Sequence, residues 1–122
     1  MLLPLMYVSG MLRHCLAAPS SRGNESLATA TGTDRRAWAA LRADVASAAG
    51  PNAHSLAEVE GALLHVVLSD AAPATPTEAT VLAATGDDGR AWFDKSVTLI
   101  VAANGRATLN LEHSPCDGTV RA

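Results

Sequence analysis

Between Asp34 and about Ala48 the apolar residues Trp38, Leu41 and Val45 recur at three- and four-residue spacing, with Arg35, Arg42 and Asp44 on the more polar faces. This predicts a helix with Asp34 as N-cap, favoured by Ala40, Ala43 and the alanine-rich stretch 46–49, and stopped by Gly50-Pro51-Asn52. Ser55-Leu56-Ala57-Glu58 then has the spacing of a capping box, and Leu56, Val59, Leu63, Val66 and Val67 follow it. A second helix is expected there, with Glu58 and Glu60 near the positive end of its dipole and Gly61 marking a close helix contact. Residues 63–68 also suit a strand by composition; the cap and the four-residue spacing favour helix. His65 lies in this segment and reads as structural. Upstream, residues 1–18 form an apolar run broken by Pro4, Arg13 and His14, read as a short buried segment or helix, and residues 19–33 read as a polar loop. Downstream, residues 71–77 read as a Pro-punctuated linker, 78–84 as a short helical piece, and Gly86-Asp87-Asp88-Gly89 as a polar turn.

The last third of the chain changes period. Two apolar-rich runs, residues 96–103 and 106–112, flank Asn104-Gly105, a strong signal for a hairpin closed by a type I′ turn. A two-residue turn pairs Ala103 with Arg106, so that Val101 faces Thr108, Leu99 faces Asn110 and Val97 faces Glu112. The other face then carries Thr98, Ile100 and Ala102 beside Ala107, Leu109 and Leu111, with His113 at the end of this apolar stripe. An imidazole at a strand end, before Ser114-Pro115-Cys116-Asp117-Gly118, suits either a reactive site or a buried turn-stabilising pair. A lone hairpin is marginal in water, so these strands are expected to belong to a larger sheet.

Composition narrows the picture. The chain has 122 residues, enough for one small domain, and is 48% hydrophobic. Much of that is alanine, and only Tyr7, Trp38, Trp92 and Phe93 are aromatic, so the core should be thin. The net charge of −3 and the absence of any basic run longer than Arg35-Arg36 argue against nucleic-acid binding. Cys15 and Cys116 are too few for a disulfide framework and are expected as free thiols in a reducing, cytoplasmic compartment. His14, His54, His65 and His113 show no HExxH or CxxC spacing, so no metal is expected. The N-terminal run lacks a basic start, which favours a structural segment over a secretory leader, and it is too short and polar to span a bilayer.

Residues 90–118 closely resemble the active-site region of the carnitine/choline acyltransferase family. The residues that carry this are Arg90, then after Ala91 the run Trp92-Phe93-Asp94-Lys95-Ser96, the Asn104-Gly105 turn, and Glu112-His113-Ser114-Pro115-Cys116-Asp117-Gly118. Upstream, Leu27 to Thr31 with Arg36-Ala37-Trp38-Ala39, and the run from Ser55 to Leu63, are similar to two further family segments, the second followed by a strand over residues 64–68. The resemblance covers residues 27–118, with 1–26 poorly matched, and implies an α/β (α+β) architecture. In it, residues 1–122 are part of a CoA-dependent acyltransferase fold, N-terminal helices preceding a hairpin of a larger mixed sheet.

The family's chemistry implies roles for named residues. His113 becomes the general base that takes the proton from the hydroxyl of carnitine or choline as that oxygen attacks acyl-CoA; imidazole is largely neutral and basic at working pH. Asp117 falls where the family places the supporting acid; it either orients the imidazole or, as in other HxxxDG enzymes, holds an arginine and shapes the turn. Glu112 and Gly118 belong to the same motif, Gly118 for a tight turn, while Trp92, Phe93 and Asp94 are scaffold around the histidine. Cys116 is not expected as a nucleophile. Coenzyme A enters as substrate, with no permanently bound cofactor. The CoA-phosphate, acceptor and oxyanion contacts lie beyond the histidine in the family, so a complementary C-terminal acyltransferase segment is the implied partner, and the chain by itself is expected to be inactive. The alternatives are another HxxxDG acyl-CoA-dependent acyltransferase and a non-catalytic remnant.

Overall fold

The computed structural model describes residues 5–17 and 27–112; the expected site residues His113, Cys116, Asp117 and Gly118 lie outside the described residues. Asp34 does open a helix: its carboxylate accepts from the backbone N–H of Arg36 at 3.0 Å and of Ala37 at 3.2 Å, and α3 runs Arg35–Ser47. Before it come α1, Leu5–Ala17, and a single turn α2, Leu27–Ala30, set within the expected loop. That turn forms because Ala28 and Thr31 are buried there, Thr31 Oγ1 donating to Ala28 O at 2.6 Å. The N-terminal run is helical as α1 but not buried, since every described side chain from Met6 to Ala17 is exposed.

The second helix departs from its sequence reading at both ends. α4 spans Asn52–Gly61 with Pro51 as N-cap and no side-chain cap, and Ser55 N–H already donates to Pro51 O at 2.9 Å inside the first turn. Proline suits a helix start, where the missing N–H would be unpaired anyway, and this moves initiation upstream of the capping-box spacing. The helix stops at Gly61, and a Cβ there would meet nothing within 4 Å, so the close contact expected at this glycine is not made. The apolar run that follows is strand β1, His65–Ser69, not helix. A pairing partner decides it, as β1 lies parallel to β2, Val97–Ala102, with Val67 beside Ile100.

Between these strands α5, Pro76–Gly89, extends well past the expected short piece at both ends. Thr75 accepts from Glu78 N–H at 3.2 Å, Glu78 accepts from Ala74 N–H at 2.7 Å, and Pro76 occupies the first turn. Regular helix ends before Gly86, Asp87 and Asp88, whose φ of 69°, 54° and 52° are left-handed. The expected polar turn is thus largely internal, with Gly86, Asp87 and Gly89 buried.

Strand β3, Ala107–Leu111, completes a three-stranded sheet of order β1-β2-β3, antiparallel to β2. The hairpin forms, one register step from the predicted pairing. Gly105 N–H donates to Ala102 O at 2.9 Å and Ala102 N–H to Arg106 O at 2.8 Å, so the loop holds three residues, and only Gly105, φ 82°, is left-handed. Asn104 does not take a positive φ, and its amide donates to Pro73 O at 2.9 Å, tying the loop to the lead-in of α5. A one-residue shift reverses every side chain of β3. Thr98 faces Asn110 and Ile100 faces Thr108, while Ala107, Leu109 and Leu111 share a face with Val101, Leu99 and Val97. Asn110 donates to Ala83 O of α5 at 3.0 Å, so α5 covers the Thr98–Ile100 side, where both are nearly inaccessible. Helices and a mixed sheet make this an α/β fold, with a second core of Ala28, Trp38, Leu56 and Trp92 among α2, α3 and α4.

Candidate active site

The connection from α5 to β2 carries the run Trp92-Phe93-Asp94-Lys95, and each member ties down a different element. Trp92 is 8% exposed and meets Trp38 edge-on, ring centroids 5.9 Å apart at 80°. Asp94 Oδ2 accepts from Trp38 Nε1–H at 3.0 Å. Phe93 N–H donates to Thr31 Oγ1 at 2.8 Å. Lys95, buried, gives its ammonium to Val59 O at 2.8 Å and Glu60 O at 2.9 Å, a cation on the last carbonyls of α4, where the helix dipole favours it. The next residue, Ser96, accepts from Glu112 N–H at 3.3 Å. Glu112, half-buried, is thereby bound to the end of this strap, and it is the last described residue before His113 in the sequence.

A second polar group braces the strap from the other side. Ser69 Oγ donates to Asp87 Oδ1 at 2.8 Å, and Arg90 donates to Leu68 O at 3.2 Å while pairing with Asp87 at 3.3 Å and Asp70 at 3.4 Å. These contacts fix the left-handed turn over the end of β1. Of the residues singled out from sequence, Trp92, Phe93, Asp94 and Glu112 are brought onto one strap-and-strand unit; His113, Asp117 and Gly118 lie outside the described residues. The anchoring roles of Thr31, Arg90 and Lys95 were not legible in hydrophobic periodicity. The available signal was the adjacency of Asp94 and Lys95 to two of the chain's four aromatic residues.

His65 sits beside the strap, its Nδ1 accepting from Trp92 N–H at 3.3 Å, which assigns the ring proton to Nε2. It lines an open cavity of about 530 Å³ with Leu27, Val59, Leu64, Arg90 and Trp92. Burial, and then the nearby Lys95 charge, push the His65 pKa below its ordinary 6.5. The folded state therefore binds this proton less well than the unfolded chain, so its contribution to stability is full above pH 6.5 and lost as the pH falls through the lowered value. Chemical denaturation from pH 7.5 down to about 5 should show this loss, and His65→Gln should flatten it. An unchanged slope would remove the assignment. Glu60 and Glu78 are held below the usual carboxylate value of 4.5 by the hydrogen bonds from Arg42 and Ala74, so their contribution fades only in the more acidic range.

A second cavity of about 370 Å³ is lined by Pro73, Glu78, Val81, Thr85, Asp87 and Asp88, an acidic wall that disfavours anions. Among the described residues, no group of three or more His, Cys, Asp or Glu is placed to hold a metal ion, and no helix is long and apolar enough to cross a membrane.

Residues 7–122 match the Choline/Carnitine O-acyltransferase family. The chain is 32% identical over 111 residues to mitochondrial carnitine O-palmitoyltransferase 2 of Macaca fascicularis, covering 91% of this chain and 17% of that protein. It is 36% identical over 110 residues to the muscle isoform of carnitine O-palmitoyltransferase 1 of Rattus norvegicus, covering 84% and 14%. A highly reducing polyketide synthase of Aspergillus luteorubrus is 31% identical over 87 residues, 71% of this chain and 3% of that protein. The chain thus spans about a seventh to a sixth of the length of the palmitoyltransferases it matches. No solved structure matches it. With the strap and the glutamate-histidine run inside the matched region, the chain belongs to the choline/carnitine O-acyltransferase family.

Proposed function

We propose that this chain carries the general base of an acyltransferase that moves an acyl group between coenzyme A and the hydroxyl of carnitine, or of choline. The observation that supports this best is the bond from Glu112 N–H to Ser96 O, which ties the residue preceding His113 to the anchored strap. His113 takes the acceptor's hydroxyl proton as the oxygen attacks the thioester carbonyl. The carbon–sulfur bond breaks, and the leaving thiolate receives a proton to give CoA–SH. Asp117 supports the imidazole, Gly118 lets the turn close, and Trp92, Phe93 and Asp94 hold the framework. A complementary acyltransferase segment supplies the contacts to CoA and acceptor and the oxyanion stabilisation. Carnitine is preferred over choline because two of the relatives are named for it.

The test is thiol release from acyl-CoA with carnitine or choline, using the chain together with the C-terminal part of a relative. His113→Ala should lower the rate by about 10²–10⁴-fold at unchanged far-UV circular dichroism. Activity indifferent to that substitution sinks the reading. The match to a polyketide synthase favours a second reading, an acyltransferase with another alcohol or amine as acceptor. An acceptor panel separates the two.

A further inference from the structure

Of Asn24, Asn52, Asn104 and Asn110, only Asn104 precedes a glycine, and the loop between β2 and β3 bends its side chain toward the next peptide. Asn104 Oδ1 accepts from Arg106 N–H at 3.2 Å, an Asx turn that folds the carboxamide back over the Asn104–Gly105 peptide. That N–H also draws electron density from Cγ, and it stands where negative charge would collect if Cγ became tetrahedral. Gly105 has no side chain to obstruct its own nitrogen, and nothing lies within 4 Å of where a Cβ would be. Both residues are exposed. Asn52 and Asn110 differ on each count: they precede Ala53 and Leu111, both are half-buried, and the Asn110 amide is held by Ala83 O at 3.0 Å.

We propose that Asn104 is a self-modifying site, converting through a succinimide to aspartate and isoaspartate, and that the conversion unties the hairpin loop from α5. The Gly105 amide nitrogen gives its proton to water and attacks Asn104 Cγ. The new N–Cγ bond closes a ring, the Cγ–Nδ2 bond breaks, and Nδ2 leaves as ammonia. Water then opens the ring, at Cγ to give aspartate or at the Asn104 main-chain carbonyl to give isoaspartate. Water is consumed and ammonia released; no oxidant or other co-reactant is needed. The local cost is the bond from Gly105 N–H to Ala102 O, 2.9 Å, and exposed hydrogen bonds at a loop tip open readily. The product changes the loop because Asn104 Nδ2–H is the donor to Pro73 O. A carboxylate has no hydrogen to offer there, and its charge faces a carbonyl oxygen. Isoaspartate also threads Cβ into the main chain, so the loop closing on Ala102 grows by one atom. Of the loop's ties to this lead-in, Arg106 to Ala74 O at 3.0 Å remains.

The test is incubation of the whole chain at mildly alkaline pH, followed by tryptic cleavage, which isolates Asn104 on the piece Ser96 to Arg106. Over days that piece should take on the mass of amide-to-acid exchange and resolve into two species, one of them isoaspartate. Isoaspartate is decisive, because direct hydrolysis of the side chain gives aspartate alone. The pieces carrying Asn52 and Asn110 should stay unchanged. Gly105→Ala should slow the conversion severalfold, and Asn104→Gln should stop it over the same period. The converted chain should unfold at lower urea concentration than the fresh one, Asn104→Asp should reproduce that shift, and aged Asn104→Gln should keep its fresh midpoint. No isoaspartate at position 104, equal conversion at Asn110, or a rate indifferent to Gly105→Ala would overturn the site. A converted chain with an unchanged urea midpoint would overturn the untying.

Discussion

Replacing Trp92 by alanine should leave little cooperative fold. Trp92 joins Ala28, Trp38 and Leu56 in the core among the helices and is the aromatic partner of Trp38. Removing a buried tryptophan costs about 3–5 kcal/mol. Small domains rarely have more than about 5–15 kcal/mol in total, and a core with so few large buried side chains places this one toward the lower limit. Urea unfolding should show either a midpoint near zero denaturant or a broad, non-cooperative transition. A loss under about 1 kcal/mol would mean that the core lies elsewhere. Phenylalanine should recover much of the loss at this position, because Trp92 Nε1 is buried without a hydrogen-bond partner and nothing is orphaned by its removal. The same change at Trp38 should cost more. Its Nε1–H is bound to Asp94 Oδ2, and Asp94 Oδ1 already lacks a partner, so Trp38→Phe leaves the carboxylate with neither oxygen hydrogen-bonded.

Gly86→Val is the second substitution expected to cost several kcal/mol. A Cβ at Gly86 would stand 2.6 Å from Ala91 Cβ and 2.7 Å from Phe93 Cζ, at a φ of 69°. Left-handed backbone costs a side-chain-bearing residue about 1–2 kcal/mol, and overpacking adds about 1–3 kcal/mol. The Phe93 ring cannot retreat freely, because Phe93 N–H is bound to Thr31 and the turn is closed by Ala91 N–H to Gly86 O at 2.9 Å. The sum, about 3 kcal/mol, should appear as a lower urea midpoint at unchanged slope. Gly61→Ala is the control. It has open space and no positive φ, so it should be neutral or raise stability by up to about 1 kcal/mol. Equal effects at the two glycines would refute the steric account.

What could be read from the sequence was what is decided locally. Asp34 and the Trp38 spacing define α3 within a dozen residues; Asp34 caps it and Trp38 is buried as expected, whereas Leu41 of the same stripe is exposed. Residues 63–68 suit a strand by composition but sit behind a capping-box spacing that favours helix; the pairing of Val67 with Ile100, far along the chain, makes residues 65–69 a strand, as the family resemblance implied. The hairpin was visible in Asn104-Gly105, but its register was not. Asn104 spends its side chain on Pro73, and that contact selects the three-residue loop. At the candidate site the run from Trp92 to Lys95 was recognisable as a motif. Its mechanical role required knowing that Lys95 would find the carbonyls of Val59 and Glu60, a contact no periodicity encodes.

The sheet order also dictates a sequence of events in time. The β2–β3 hairpin joins neighbours across a three-residue loop and can close within about 1–10 μs. The β1–β2 pair must bring together partners such as His65 and Thr98, about thirty residues apart, across the whole of α5. That search has a larger loop entropy to overcome, and its gain arrives only once α5 has docked. During synthesis β1 emerges first and waits, unpaired and apolar, until β2 follows. Substitutions at Asn104-Gly105 should therefore slow folding, whereas those that strain the Gly86 turn should chiefly hasten unfolding.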